Sequence, residues 1–316
     1  MTVTLDDIKQ AHQRIQPYIH CTPILQSTQL NKLFTCELFF KADNMQKVGA
    51  FKARGACNAL FSMTQEALAN GVITHSSGNH GAALAWAAAM RKASCTVVMP
   101  ENAPQAKKDA VLSYGATVVY CEPTMTAREG TVTRLIEQQG ARLVHPYDDD
   151  LIIAGQGTAT LETLAQLDKP ADVLMTPVGG GGLLGGSAIV VKQSPQAGIT
   201  RVIGAEPEAA NDAWLGFRSG ARLAEFVPNT IADGLRGTVG VRNFEIITQH
   251  VDDILLASEA RIVEAMKLIW TRLKIVVEPS AAVPLAAIMD QPEQFNGKRV
   301  AIILSGGNLD LDALPW

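Results

Sequence analysis

Lys47-Val48-Gly49-Ala50-Phe51-Lys52-Ala53-Arg54-Gly55-Ala56 follows a strand-like run, Glu37-Leu38-Phe39-Phe40-Lys41, and opens a helix-like run from Ala53 to Met63. Lys52 therefore stands near the start of a helix, beside Phe51 and small residues. The positive end of the helix dipole disfavours an ammonium there, and partial burial disfavours it too. A lysine kept neutral is a nucleophile able to form a Schiff base with an aldehyde. Taken alone, an ordinary surface lysine is the simpler reading. The loops that recur later in the chain change that balance.

Outward from this stretch, strands and helices alternate. Thr4 caps a helix expected to reach about Gln16, with an acid three residues on. Strands are expected at Val72–His75, Cys95–Met99, Thr117–Cys121, Arg142–His145, Asp172–Val178, Arg201–Ala205 and Arg299–Leu304. Helices are expected at 79–91, 106–113, 126–139, 151–167, 183–191, 258–274 and 280–289, the last with Pro284 near its first turn. Strands separated by helices of about 10–15 residues argue βαβ units and parallel sheets. Residues 206–250, rich in turn formers, read as partly irregular. Asp148-Asp149-Asp150 reads as a solvated, helix-capping turn, since three adjacent acids make poor metal geometry. No internal repeat or low-complexity linker is visible, and no appended regulatory domain is expected after the last strand.

Composition narrows the function. The 316 residues are 47% hydrophobic and 18% charged, enough for a large core and one big or two intimate domains. A net charge of −4 and a pI of about 5.9 give no support to nucleic-acid or anionic-membrane binding. Residues 1–20 lack the apolar region of a signal peptide, and no apolar run reaches membrane-spanning length. Five scattered cysteines form neither a CxxC pair nor a disulfide framework, which fits a reducing cytoplasm. The six histidines contain no HxxxH pair, so a zinc site is not expected.

Three loops follow apolar strands. Val178-Gly179-Gly180-Gly181-Gly182-Leu183-Leu184-Gly185-Gly186 lies between a strand and a helix, where backbone N–H groups and the helix end favour an anion. A single phosphate needs only the glycines and the helix end. Gly180, Gly182 and Gly185 also fit G-x-G-x-x-G, with Glu206 about 20 residues on, as in a dinucleotide site. Ser76-Ser77-Gly78-Asn79-His80-Gly81 offers hydroxyls and N–H groups to a carboxylate, or simply caps the alanine-rich helix after it. Ser305-Gly306-Gly307-Asn308 follows the last strand and could be only a terminal turn. In open α/β sheets ligands bind at the carboxyl ends of the strands, so Lys52 and these loops can converge on one crevice. A Schiff-base lysine with a single-phosphate cradle suggests pyridoxal 5′-phosphate.

Together with Glu278-Pro279-Ser280-Ala281-Ala282, these motifs resemble, in order and over nearly the whole chain, the fold-type II pyridoxal-phosphate enzymes. Within them the sequence is similar to the serine racemase and serine/threonine dehydratase family. The resemblance implies two open, twisted, mainly parallel α/β sheets. It implies a large cofactor-binding domain of residues 1–69 and 149–316, with a small domain, 70–148, inserted in it. Lys52 would hold the cofactor and act as the base at Cα. Gly179, Gly180, Gly181 and Gly182 would bind the phosphate, with Phe51, Asn79 and Glu278 beside the ring and Ser305 at the pyridine nitrogen. Ser76, Ser77, Asn79 and His80 would surround the substrate carboxylate. In the racemases the serine matching Ser77 reprotonates Cα on the face opposite the lysine, so racemisation stands open beside β-elimination.

The resemblance further implies a magnesium or calcium site of Glu206, the Ala210 carbonyl and Asp212, a hard-oxygen set suited to either ion. Arg128 would pair with a second substrate carboxylate, admitting 3-hydroxyaspartate, or else pair with Glu129 on the helix surface. A homodimer in the cytoplasm is expected. Three residues depart from the family pattern. Ala50 replaces a serine. Gly237-Thr238 replaces a Ser-Ser pair lining the racemase cavity. Ala82 replaces a glutamine near a nucleotide effector, although Tyr114 and Asn308 are kept.

Overall fold

A computed structural model describes residues 3–76 and 78–316, and its ten strands form two sheets. The larger has the order β1-β2-β10-β7-β8-β9, comprising β1 (Ile24–Leu25), β2 (Glu37–Lys41), β7 (Val173–Pro177), β8 (Arg201–Pro207), β9 (Asp253–Ala257) and β10 (Arg299–Ile303). Only β1 runs antiparallel. The smaller is wholly parallel, in the order β5-β4-β3-β6, with β3 (Val72–His75), β4 (Cys95–Pro100), β5 (Thr117–Cys121) and β6 (Arg142–Leu143). The central strands are continuous apolar runs, such as Val173-Leu174-Met175 and Val300-Ala301-Ile302-Ile303, and all of these residues are buried. Parallel strands covered by helices on both faces need this composition.

Three helices fix the relation between the lysine and the glycine loop. They run Lys52–Phe61, Asp150–Gln166 and Gly182–Lys192. A Cβ on Gly155, in the middle helix, would stand 2.6 Å from the Cα of Gly55 in the first. A Cβ on Gly186, in the third, would stand 2.6 Å from the Ile153 carbonyl oxygen and 2.8 Å from Gly157 N in the middle one. The helices thus touch backbone to backbone, which only residues without side chains permit. Lys52 opens the first helix and Gly182 the third, so this contact sets the amine against the glycine loop.

Beneath them lies a dry ionic cluster. Arg54, wholly buried, donates from Nε and Nη2 to both oxygens of Asp43 (2.7 and 2.9 Å) and from Nη1 and Nη2 to both oxygens of Glu162 (2.8 and 2.9 Å). Lys41 Nζ donates to Glu162 at 2.7 Å. Burial alone would raise both carboxyls, but the Arg54 guanidinium holds Asp43 and Glu162 below their ordinary values.

Several elements depart from the sequence expectation. Residues 206–250 contain two α-helices, Asp212–Ser219 and Val241–His250, and two short 3-10 turns. Strands β1 and β9 and the helix Thr28–Phe34 also lie outside the expected set. Pro284 is interior to its helix, and Pro279 takes the first turn. β6 ends at Leu143, because the backbone N–H groups of Tyr147 and Asp148 turn back onto His145 Nδ1 (3.3 and 2.8 Å). The acidic run caps helices, and two different ones. Asp149 accepts from Leu151 N and Ile152 N of its own helix, and Asp148 accepts from Val241 N and Arg242 N of another. Among the described residues no helix is long and apolar enough to cross a membrane.

Candidate active site

Lys52 is the first residue of its helix and half-buried, with its Nζ 5.2 Å from the centre of the Phe51 ring. Nζ donates to the Pro146 carbonyl at 2.7 Å. Burial without an acidic partner pulls its ammonium down to about 8. Phe51 N donates to the Ser305 carbonyl (2.9 Å), and Ala50 bridges Gly306. The lysine turn is therefore paired directly with the loop after β10, and buried Ser305 lies beside it.

The glycine loop follows β7. Gly181 has φ +89°, a conformation glycine adopts without strain, and Gly182 begins the helix. The loop is held by Asn243, which donates to the Gly180 carbonyl (2.7 Å) and the Tyr147 carbonyl (2.9 Å). The Tyr147 ring lies over Gly180 so closely that a Cβ there would stand 2.1 Å from its Cγ. Pro146-Tyr147 therefore joins the lysine to the glycine loop, through a carbonyl at one residue and a ring at the next. Neither residue was singled out from the sequence. Their one signal is position, since they follow a parallel strand at its carboxyl end.

The serine loop approaches from the smaller sheet. Ser76 Oγ accepts from Gly78 N at 3.1 Å, and Asn79 begins the next helix. Asn79 Nδ2 donates to Glu278 Oε1 (2.7 Å), and its Oδ1 accepts from Asn308 Nδ2 (3.0 Å). Glu278 N donates to the Gly306 carbonyl (3.1 Å), so serine loop, Glu278 and terminal loop form one connected edge. Burial raises the Glu278 carboxyl to about 7, although Lys107 acts against this. His80 is buried, and burial together with the nearby Lys52 charge keeps its ring neutral. Ser77 lies outside the described residues.

Arg128 sits in the helix Met125–Gln139, half-buried, and its Nε is buried without an acceptor among the described residues. Among the described residues it forms no ion pair with Glu129. Burial lowers its basicity, against the influence of Cys121 and Tyr147, and its charge in turn helps keep His75 neutral. His75, His145 and Tyr147 form a chain of edge-on rings, with centres 5.6 and 4.6 Å apart.

Glu206, Ala210 and Asp212 are all buried at the end of β8 and the turn after it. Glu206 accepts from Ala213 N (3.3 Å) and Trp214 N (2.7 Å), and Asp212 accepts from Val239 N (2.8 Å). Burial raises Asp212 to about 6. Burial and the Asp212 charge raise Glu206 well above the usual range. Among the described residues no group of three or more His, Cys, Asp or Glu side chains is arranged to hold a metal ion.

Lys52, the glycine loop and the loops after β3 and β10 are thus joined at the carboxyl ends of parallel strands, through Pro146-Tyr147 and the Asn79–Glu278–Gly306 contacts. Residues 15–306 match the family model described as "Pyridoxal-phosphate dependent enzyme". The chain belongs to that family. Pyridoxal phosphate carries one phosphate and no nucleotide, which accords with the single-phosphate reading of the glycine loop. Among its members, the chain is 49% identical to the beta-hydroxyaspartate dehydratase of Paracoccus denitrificans (strain Pd 1222), over 99% of this chain and 98% of that one. It superposes on the crystal structure of serine racemase from Dictyostelium discoideum with a TM-score of 0.92 at 49% identity, covering 98% and 100% of the two chains. The crystal structure of a T.th. threonine deaminase gives a TM-score of 0.91 at 43% identity over 98% and 99%. This pyridoxal-phosphate enzyme thus has both racemases and dehydratases among its relatives.

Proposed function

We propose that this enzyme eliminates water from a 3-hydroxy amino acid, giving a 2-oxo acid and ammonia. The observation that carries this reading is the Lys52 amine, shifted toward neutrality by burial and held beside Ser305 and the glycine loop. Pyridoxal phosphate, when bound, supplies the electron sink that makes the substrate Cα–H acidic. The residues present fit that group. Lys52 offers an amine to an aldehyde, and the N–H groups of Gly179, Gly180, Gly181 and Gly182 offer a cradle to a phosphate. Phe51, Asn79 and Glu278 would flank the ring. Ser305 puts a hydroxyl, which does not keep a pyridine nitrogen protonated, where a carboxylate would. Lys52 Nζ takes the Cα proton, and Ser76, Ser77, Asn79 and His80 orient the substrate carboxylate. We assign residues 1–69 and 149–316 to the cofactor domain and 70–148 to the inserted one.

Arg128 narrows the substrate. A half-buried guanidinium with an unpartnered Nε suits a second carboxylate, which favours 3-hydroxyaspartate over serine and threonine. Arg128→Met is expected to lower kcat/KM for 3-hydroxyaspartate by about 10- to 150-fold, the worth of one charged hydrogen bond, with serine changed less than about threefold. Oxo-acid release measured on both substrates checks this, and an equal loss on both would make Arg128 structural. Similarity to the Dictyostelium racemase and the sequence position of Ser77 support a second activity, serine racemisation. Ser77→Ala is expected to abolish D-serine formation while some elimination survives. A wild type that forms no D-serine would end that branch.

We also propose that Glu206, Asp212 and the Ala210 carbonyl bind magnesium or calcium. Two buried carboxylates with raised protonation and no cation in contact fit a divalent ion. Chelation is expected to lower the melting temperature of the wild type and not that of Glu206→Gln. Equal shifts would refute the site. A homodimer in the cytoplasm completes the reading, and a monomer in sedimentation would overturn the first part.

A further inference from the structure

Lys107 is buried yet takes no part in the chemistry above. It stands on the helix Gln105–Ser113, between β4 and β5 of the smaller sheet. Its Nζ nevertheless pairs with Asp233, in the turn Asp233–Leu235 on the larger sheet's side, and lies 4.0 Å from Glu278 Oε2. Between these ends its stem crosses the serine loop. A Cβ on Gly78 would stand 2.7 Å from Lys107 Cδ.

Both acids it reaches touch the cofactor crevice. Gly234 N donates to Ser280 Oγ (3.0 Å), and the same turn backs onto the glycine loop, where a Cβ on Gly179 would lie 3.3 Å from the Gly234 carbonyl oxygen. Glu278 receives the Asn79 amide. One cation thus lies across the serine loop and ends between two acids anchored in the opposite sheet's layer. Without it Glu278, whose carboxyl burial and Asp233 both push up, would sit protonated beside Asp233 with no cation to hold the two elements together.

We propose that Lys107 is a positioning residue that ties Gly78 and the start of the helix after it to the body of the cofactor site, so that the substrate carboxylate meets its donors in a fixed place. The assignment rests on reading the serine loop as the carboxylate site. The charge, more than the stem, makes the tie, because a largely dry ion pair is lost whole when one partner goes.

Lys107→Met keeps an apolar stem over Gly78 and removes the charge. In the holoenzyme we expect KM for the amino acid to rise about tenfold, or about 1.4 kcal/mol, with kcat changed less than about threefold. Lys107→Arg should restore most of the loss, and Asp233→Asn should reproduce it. In the substrate-free holoenzyme, amide exchange over Gly78–Ala83 should accelerate about tenfold or more while the Gly182–Lys192 helix stays unchanged. Unchanged KM with unchanged exchange would overturn the proposal, as would exchange that rises evenly through the molecule. A rise in loop exchange with KM unaltered would overturn the carboxylate role. Local exchange that responds as expected in a wild type inactive on every amino acid would sink the dehydratase reading and leave the tether standing.

Discussion

Replacing Lys52 by alanine is expected to reduce 2-oxo acid formation by at least about 10³-fold, within the span of one general acid–base group. It should also abolish the covalent attachment of pyridoxal phosphate. The amine beside Pro146, in its neutral form, is both nucleophile and base in the proposed chemistry. Borohydride treatment of cofactor-loaded wild type should leave a mass increase on the peptide containing Lys52, and the variant should show none. Protein that stays colourless with the cofactor and gains no mass would end the case for Lys52. The pH course follows from its ammonium lying near 8. Below that value the neutral fraction, and with it the rate of cofactor attachment, rises about tenfold per pH unit, flattening above it. Stability moves in the same direction as function, but at higher pH. The folded value lies below the unfolded one, so the native state binds fewer protons between about 8 and 10.5 and gains stability as pH rises through that window. At neutral pH the amine is a burden on the cofactor-free fold, and Lys52→Ala should melt no lower than wild type.

Arg54→Met is expected to cost about 3–5 kcal/mol of folding stability, the usual penalty for removing one partner of a buried ionic cluster. Asp43 and Glu162 would keep Lys41, the Thr22 hydroxyl and the more distant His12 ring to answer their charges. Urea denaturation of the cofactor-free protein measures this, and a loss below about 1 kcal/mol would show the cluster to be dispensable. Both carboxyls lie below their unfolded values, so their contribution is present above about pH 4 and fades as pH falls through the native values. The variant lacks the guanidinium that lowers them, so the gap between the two proteins should narrow in acid. On this account the arginine two residues after Lys52 serves the scaffold.

The strands legible in the sequence were those whose apolar run is closed by local signals. Glu37–Lys41 and Thr117–Cys121 have the bounds their sequences suggest, the second between Gly115 and the Glu122-Pro123 pair. The helix Val241–His250 was not legible, because its cap is Asp148, some 93 residues away in sequence, and Gly240 at its start carries no capping side chain. Strand β9 opens with Asp253, and Asp252 before it marks no local turn, because the two acids are spent on Lys192 and Arg218. The site divides in the same way. Lysine, glycine loop and serine loop are contiguous motifs and could be read. Tyr147 over Gly180 and Lys107 across Gly78 are contacts between distant segments, and no local pattern encodes them.

The spine in which Gly55, Gly155, Gly157 and Gly186 press three helices together has an evolutionary corollary. In the proposed site, Lys52 and the glycine loop hang on that spindle, whereas Arg128, Ser76, Asn79 and His80 ride on the other sheet. Drift in the second group can retune which amino acid is accepted without loosening the first. A lineage built this way can change its diet while keeping its catalyst.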